Sequence, residues 1–403
     1  MKTAFFIEGN PNNPGGYNQI LNTTIFIKNS FNKNDNILFI TNDINLKNLF
    51  KKNDVSCDFY TKNIFEKLTD YILGLSFLLR FLIYFNFKHS FSKFLKKREI
   101  DLVIFLSPTE FSRYCDNVNF VLNIWDLDHK KNSPFPEHKN DYTFEKREDF
   151  LKSVLFKAFK IVVAHKENKK DLIKFYSCDE KKIVIQSFIP LLPNIPDNEL
   201  GSLTENEKIN LKSIISKNKI IIYPATFWAH KNHKYIIEAV EILKKNNINE
   251  FRFIFCGSDR GNFDYIKQLI EKKKLSQLIT MYPLVSNLFL KNLYENCFAV
   301  IMATDSGPTN LPLYESMYFN KPILYSNKIS NDNELKDIIF PINLSDPEDL
   351  VNKLKDLNKE TIIEKVNKGQ IYYQSHCLQK NIHETYKNII DEFNDVKKKW
   401  KFD

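Results

Sequence analysis

The chain has 403 residues, 43% apolar and 27% charged, with 35 phenylalanines but only nine glycines. That composition supplies a packed core and excludes a disordered, collagenous or low-complexity chain. At ~100–200 residues per domain the length points to two domains. A formal charge of +9 favours an anionic partner, a phosphate ligand or a lipid surface. The basic residues are spread along the chain and their main runs, 96–98 and 397–399, are short, so no nucleic-acid partner is expected. Six cysteines without paired spacing indicate neither a zinc site nor a disulfide framework and point to a reducing compartment.

Residues 3–9, TAFFIEG, form an apolar run too short for a signal peptide and are predicted as a first β-strand, which leads to an expected cytoplasmic location. Further apolar runs follow at 36–41, 101–106, 119–124, 160–165 and 182–187, separated by amphipathic stretches. The same rhythm restarts at 219–224, 251–256, 278–283, 298–303 and 321–326. Continuous apolar strands alternating with helices predict parallel sheets covered on both faces, hence an α/β chain of two doubly wound domains. The boundaries expected are 1–190 for the first domain, 191–212 for a Pro-rich linker, 213–375 for the second domain and 376–403 for a final helix. From about 370 to 402 the pattern reads as one long helix that packs back on the first domain.

Residues 71–87, YILGLSFLLRFLIYFNF, are apolar on all sides, interrupted by Arg80 and bounded by Asp70 and Lys88. The run is too short and too interrupted to span a bilayer. Two readings stay open: a helix buried between sheet and neighbours, or a surface helix dipping into a membrane with the basic residues up to 98 at the headgroups.

Chemistry concentrates in two segments. In 303–317, ATDSGPTNLPLYESM, a strand gives way to a tight loop and a helix opening at Pro312, the setting in which unpaired amides face a phosphate. Glu315 is expected in the first turn of that helix, where a carboxylate accepts two hydrogen bonds from a vicinal diol such as a ribose. In 223–234, YPATFWAHKNHK, His230, Lys231 and His233 gather at the end of a strand, where open α/β sheets bind ligands. Gly15 and Gly16 follow the first strand and allow close backbone approach to a ligand. Asp126 and Asp128 in WDLDH have the spacing of a metal-binding carboxylate pair, as in the GT-A glycosyltransferase architecture.

These segments resemble the donor-binding half of glycosyltransferase family 4, retaining and metal-independent nucleotide-sugar enzymes of the GT-B fold. GPTNLPLYE (307–315) is similar to the family's loop and ribose-holding glutamate, and 223–233 to a variant of its phosphate-binding turn. WDLDH (125–129) resembles the segment with a histidine near the sugar, residues 13–17 the glycine loop, and 161–185 the end of the first domain. The resemblance implies two Rossmann-like domains facing across a cleft. It implies a catalytic set of His129, Asp126 and Lys231, and donor contacts from Gly15, Gly16, Thr226, His230, Lys231, Val285, Gly307, Thr309, Asn310, Leu311 and Glu315. No metal and no cofactor beyond a nucleotide-sugar donor, GDP-mannose or a UDP-sugar, is implied, with a glycan or lipid-linked acceptor of surface polysaccharide synthesis. Two positions depart from the pattern: Gly307 stands where the family has an earlier glutamate, and Thr226 where it has an arginine. Those departures motivate an alternative, a GT-B binding or scaffold protein without turnover, beside the GT-A alternative on Asp126 and Asp128 and a GT-B epimerase that would use no acceptor.

Overall fold

A computed structural model describes residues 1–9, 14–61, 88–190, 192, 203–205, 207–208, 219–283, 285–306, 310–329 and 333–399. The apolar run 71–87, most of the expected linker, Gly307 and Thr309 lie outside the described residues.

The chain forms two compact units. The first comprises Met1–Leu127, Glu145–Ser187 and Gln379–Asp403; the second, Asp128–Phe144 and Phe188–Leu378. The first unit holds a parallel sheet of seven strands: β1 (Thr3–Ile7), β2 (Ile37–Thr41), β3 (Cys57–Phe59), β4 (Leu102–Phe105), β5 (Asn119–Ile124), β6 (Lys160–Val163) and β7 (Ile183–Ile185). Their order is β3-β2-β1-β4-β5-β6-β7. The second unit holds six parallel strands: β8 (Lys219–Pro224), β9 (Phe251–Cys256), β10 (Ile279–Tyr282), β11 (Ala299–Met302), β12 (Ile323–Ser326) and β13 (Phe340–Ile342), in the order β10-β9-β8-β11-β12-β13. Each sheet winds outward from its first strand, then crosses to that strand's other side, so each has a switch point: β1/β4 in one, β8/β11 in the other.

The apolar runs explain the sheets. Every residue of β1, β4, β6, β11 and β12 is buried, as parallel strands covered on both faces require. Register follows, with Phe5 of β1 opposite Phe39 of β2 and Ile104 of β4. The phenylalanine surplus goes into aromatic packing. Under the first sheet, Phe6 meets Phe91 and Phe111 with ring centroids 5.3 and 4.8 Å apart, and Tyr60 meets Phe91 at 5.2 Å. Such tilted and edge-on pairs contribute ~0.5–1.5 kcal/mol each beyond their buried area.

Two strands escape the sequence pattern. β3 and β13 are three-residue edge strands; the sequence CDF of β3 carries an acid and the FPI of β13 a proline, which breaks the strand signal. The expected single long helix is two: Lys359–His376, capped at Cys377, and Gln379–Lys397. The first belongs to the second unit and the last to the first unit. Gln379–Lys397 lies along the helix Pro14–Ser30. Its Tyr386 sets an edge against Phe5 at 5.4 Å and donates a 3.2 Å hydrogen bond to Asn123 Oδ1, while Glu392 pairs with Lys160 at 2.6 Å. The final helix therefore packs on the first unit, as expected.

Candidate functional site

In the second unit, the loops that leave β8 and β11 at their carboxyl ends are joined by hydrogen bonds. The peptide N–H of Asp305 donates to the His230 carbonyl at 2.8 Å, and Asn232 Nδ2 donates to Asp305 Oδ2 at 3.2 Å. Lys231 Nζ donates to Asn310 Oδ1 at 2.7 Å, and Asn310 Nδ2 donates to the Tyr325 hydroxyl at 2.7 Å. Asn310 also stands at the N-cap position of the helix Leu311–Tyr318, without a side-chain bond to the helix amides, and Pro312 is in the first turn. A cation and a helix start thus meet at the β8/β11 switch point, where open α/β sheets receive anions.

Close packing shapes the β8 loop. A Cβ on Gly257, just after β9, would lie 2.2 Å from the Ala225 carbonyl oxygen and 2.7 Å from the Thr226 nitrogen, so only glycine lets the two loops touch. Beyond it, Phe227 N–H donates to the Ser258 carbonyl at 3.0 Å, and a 3-10 turn at Ala229–Lys231 presents the lysine. Asn232, in left-handed conformation with φ 49°, caps the following helix.

The three groups expected to supply charge here differ. His233 is fully buried, stacked on Phe227 at 4.5 Å and flanked by Tyr223 and Phe255. Burial, then the neighbouring Lys231 charge, pulls its pKa down to about 3, so it is neutral core. His230 is held below its ordinary value first by burial, against the pull of Glu137, to which both its backbone N–H and its Nδ1 are hydrogen-bonded. Burial alone would raise the Glu137 carboxyl, but the His230 hydrogen bonds hold it below its usual value. Lys231 is left to supply the positive charge of this turn.

Glu315 lies beyond the first turn, because the helix begins at Leu311 rather than Pro312. Its carboxyl is buried and accepts a 2.6 Å hydrogen bond from Tyr294. Burial pushes its pKa up to about 7. Thr226 is half-buried in the β8 loop, its carbonyl accepting from Trp228 N–H at 2.8 Å. Val285 stands after β10, two strands from the switch point, packed on the core of the unit.

The WDLDH residues take separate partners. Asp126 is held by Arg147 at 2.6 Å in the first unit. Asp128 accepts from the Ser306 hydroxyl in the second, and His129 is fully buried with its ring edge toward Phe144 at 5.4 Å. Gly15 and Gly16 fall in the first turn of the helix Pro14–Ser30, and a Cβ on Gly15 would meet nothing within 4 Å. Sequence reasoning missed Glu137, Tyr294 and Tyr325, each of which reaches the site only through tertiary contact, so no local spacing marks it; Asp305 and Ser306 lie inside the segment 303–317 but were not singled out within it.

Two parallel doubly wound sheets of seven and six strands place the chain in the GT-B fold class and leave the GT-A alternative without its architecture. Solved structures share that fold across nearly the whole chain. HepE from Anabaena, in complex with UDP, has a TM-score of 0.68 at 13% identity, covering 97% of this chain and 100% of its own. A glycosyltransferase from Rickettsia africae has a TM-score of 0.67 at 17% identity, covering 96% and 98%. MnaA of S. aureus in a UDP co-structure has 0.61 at 13%, covering 98% of each. Residues 205–372 match the family model of glycosyl transferases group 1, a span that contains both loops of the site. No curated protein matches the sequence.

Proposed function

We propose that the protein is a glycosyltransferase that moves a sugar from a nucleotide-diphosphate donor to a glycan or lipid-linked acceptor, with retention and without metal. The observation that carries the reading is the Lys231–Asn310 hydrogen bond of 2.7 Å, which sets an ammonium beside the start of the helix Leu311–Tyr318. Breaking a sugar-phosphate bond develops negative charge on the diphosphate, so a preorganised cation and helix amides stabilise the leaving group. In this reading the amides of Thr309, Asn310 and Leu311 receive the phosphates, and because Gly307 stands where the resembled family has a glutamate, contact with the sugar comes from other residues. Glu315 and Val285 belong to the nucleoside end. Thr226 and His230 belong to the phosphate turn, and the resemblance to family 4 is what assigns Gly15, Gly16, Asp126 and His129 to the sugar. The departing phosphate accepts the acceptor's proton, so no separate base is required.

The UDP complexes of HepE and MnaA support a uridine donor; the 223–233 variant supports GDP-mannose. Surface polysaccharide synthesis at the cytoplasmic face of a membrane fits this chemistry. Contact with that membrane is proposed through residues 71–98. Within that stretch Lys96 and Lys97 are exposed at the end of the helix Ser90–Lys97, whereas Arg98 is taken by Asp58 at 2.5 Å. Among the described residues no helix is long and apolar enough to cross a membrane. Flotation with anionic vesicles tests the contact: co-migration supports it, and protein left at the bottom of the gradient removes it.

The test of the reading is nucleotide release from UDP-glucose or GDP-mannose on addition of acceptor glycan, with Lys231→Ala as control. Release that Lys231→Ala abolishes supports it. Tight nucleotide binding with no release under any acceptor supports the alternative that Gly307 and Thr226 motivate, a nucleotide-binding protein without turnover.

A further inference from the structure

The end of β12 also reaches the β8/β11 switch point. β12 lies beside β11 on the side away from β8, so the chain that leaves its carboxyl end adjoins the β11 loop opposite the β8 loop. Two residues there touch the β11 loop at separate places. The Tyr325 hydroxyl accepts from Asn310 Nδ2 at 2.7 Å, and Lys328, in the 3-10 turn Asn327–Ile329, pairs its Nζ with Asp305 Oδ1. Lys231 and Lys328 therefore approach the β11 loop from its two sides.

Asp305 is the fixed half of the ion pair. Its N–H and its Oδ2 are both engaged by the β8 loop, through the His230 carbonyl at 2.8 Å and Asn232 Nδ2 at 3.2 Å, and its side chain is only 15% exposed. Lys328 is the accessible half, 53% exposed. An ion pair this open to water adds little to stability, so the fold gains little from placing an ammonium there. The Asp305 charge acts at the switch point itself: after burial and Tyr325, it raises the Tyr223 phenol at the end of β8. Left uncompensated, that charge would repel a diphosphate, and Lys328 offsets it. An ammonium carries three donors on a flexible stem, so it can keep Asp305 and take a phosphate oxygen together.

We propose that Lys328 is a second cation of the diphosphate site and meets the phosphate farther from the nucleoside. The proposal rests on the glycosyltransferase reading for the presence of a nucleoside diphosphate. Across the sheet the order runs from Val285 after β10, through Lys231 after β8, to Lys328 after β12, so Lys328 stands at the end remote from the nucleoside. Isothermal titration of the full chain with UMP and UDP, and with GMP and GDP, tests it. The unsubstituted chain binds the diphosphate about tenfold or more tighter than the monophosphate. Lys328→Ala lowers diphosphate affinity about tenfold and leaves monophosphate affinity unchanged, whereas Lys328→Arg, which keeps the charge, restores most of the difference. The side chain is exposed, so both variants keep the fold, and thermal unfolding verifies it. A diphosphate preference that is absent from the unsubstituted chain, an equal loss for mono- and diphosphate, or Lys328→Arg no better than Lys328→Ala would each overturn the proposal. The two readings fail differently. If none of the four nucleotides binds, the glycosyltransferase reading falls and this proposal with it; a diphosphate preference that survives Lys328→Ala removes this proposal alone.

Discussion

Burial in the core raises the Glu315 carboxyl. Its folded pKa of about 7 stands above the ordinary 4.5, so the native state keeps a proton that the unfolded chain releases between those values. Stability is full below pH 4.5, falls as pH rises to about 7 and then levels, a loss of about 3 kcal/mol. Glu315→Gln, which keeps an acceptor for Tyr294, should flatten that dependence; denaturant unfolding at pH 5 and pH 8 measures it, and an unchanged slope would refute the assignment. Lys231→Ala should weaken nucleotide binding about tenfold or more, the scale of one lost charge-assisted contact. Titration of UDP and GDP reads that loss. His233 shows the limit of residue types as evidence: its place in AHKNH suggests a cation, but Phe227, Tyr223 and Phe255 enclose it and make it core.

At the scale of elements, the site depends on two loops held by contacts that neither loop's sequence announces. Gly257→Ala drives a Cβ into the Ala225 carbonyl, an overlap with backbone that no side-chain rotation relieves. Overpacking of this kind costs ~1–3 kcal/mol, and the β8 loop should shift with it. Lower denaturation midpoint together with weaker nucleotide binding is the expected pair; stability loss alone would show that the loop does not shape the site. Glu137→Gln should leave the fold intact while loosening the 3-10 turn at Ala229–Lys231, because the amide keeps one acceptor for the His230 N–H but loses the charge. Faster amide exchange at 229–231 would report it, and unchanged exchange would refute it. Strands with continuous apolar runs were legible because burial on both faces leaves no other composition. β3 and β13 were not, since an acid in CDF and a proline in FPI interrupt the strand signal, whereas the equally short edge strand β7 reads IVI and was legible. The break at Cys377 was not legible either, because the apolar pattern continues through it while the chain passes from one unit to the other.

For the whole molecule, the repeat of one winding order in two sheets was legible from the restart of the apolar rhythm at 219. The loop positions of Lys231 and Asn310 were legible from strand-end placement, whereas Glu137 and Tyr325 were not, because their contacts exist only once distant segments meet. At the β8/β11 switch point stands the Lys231 cation, held to Asn310. The central claim, that the β8/β11 switch point binds a nucleoside diphosphate, is tested most directly by thermal shift of the full chain against UDP, GDP, CMP and ADP. A rise in melting temperature with UDP or GDP that Lys231→Ala removes is the predicted result. No stabilisation by any of the four, or a rise that Lys231→Ala leaves untouched, would contradict it.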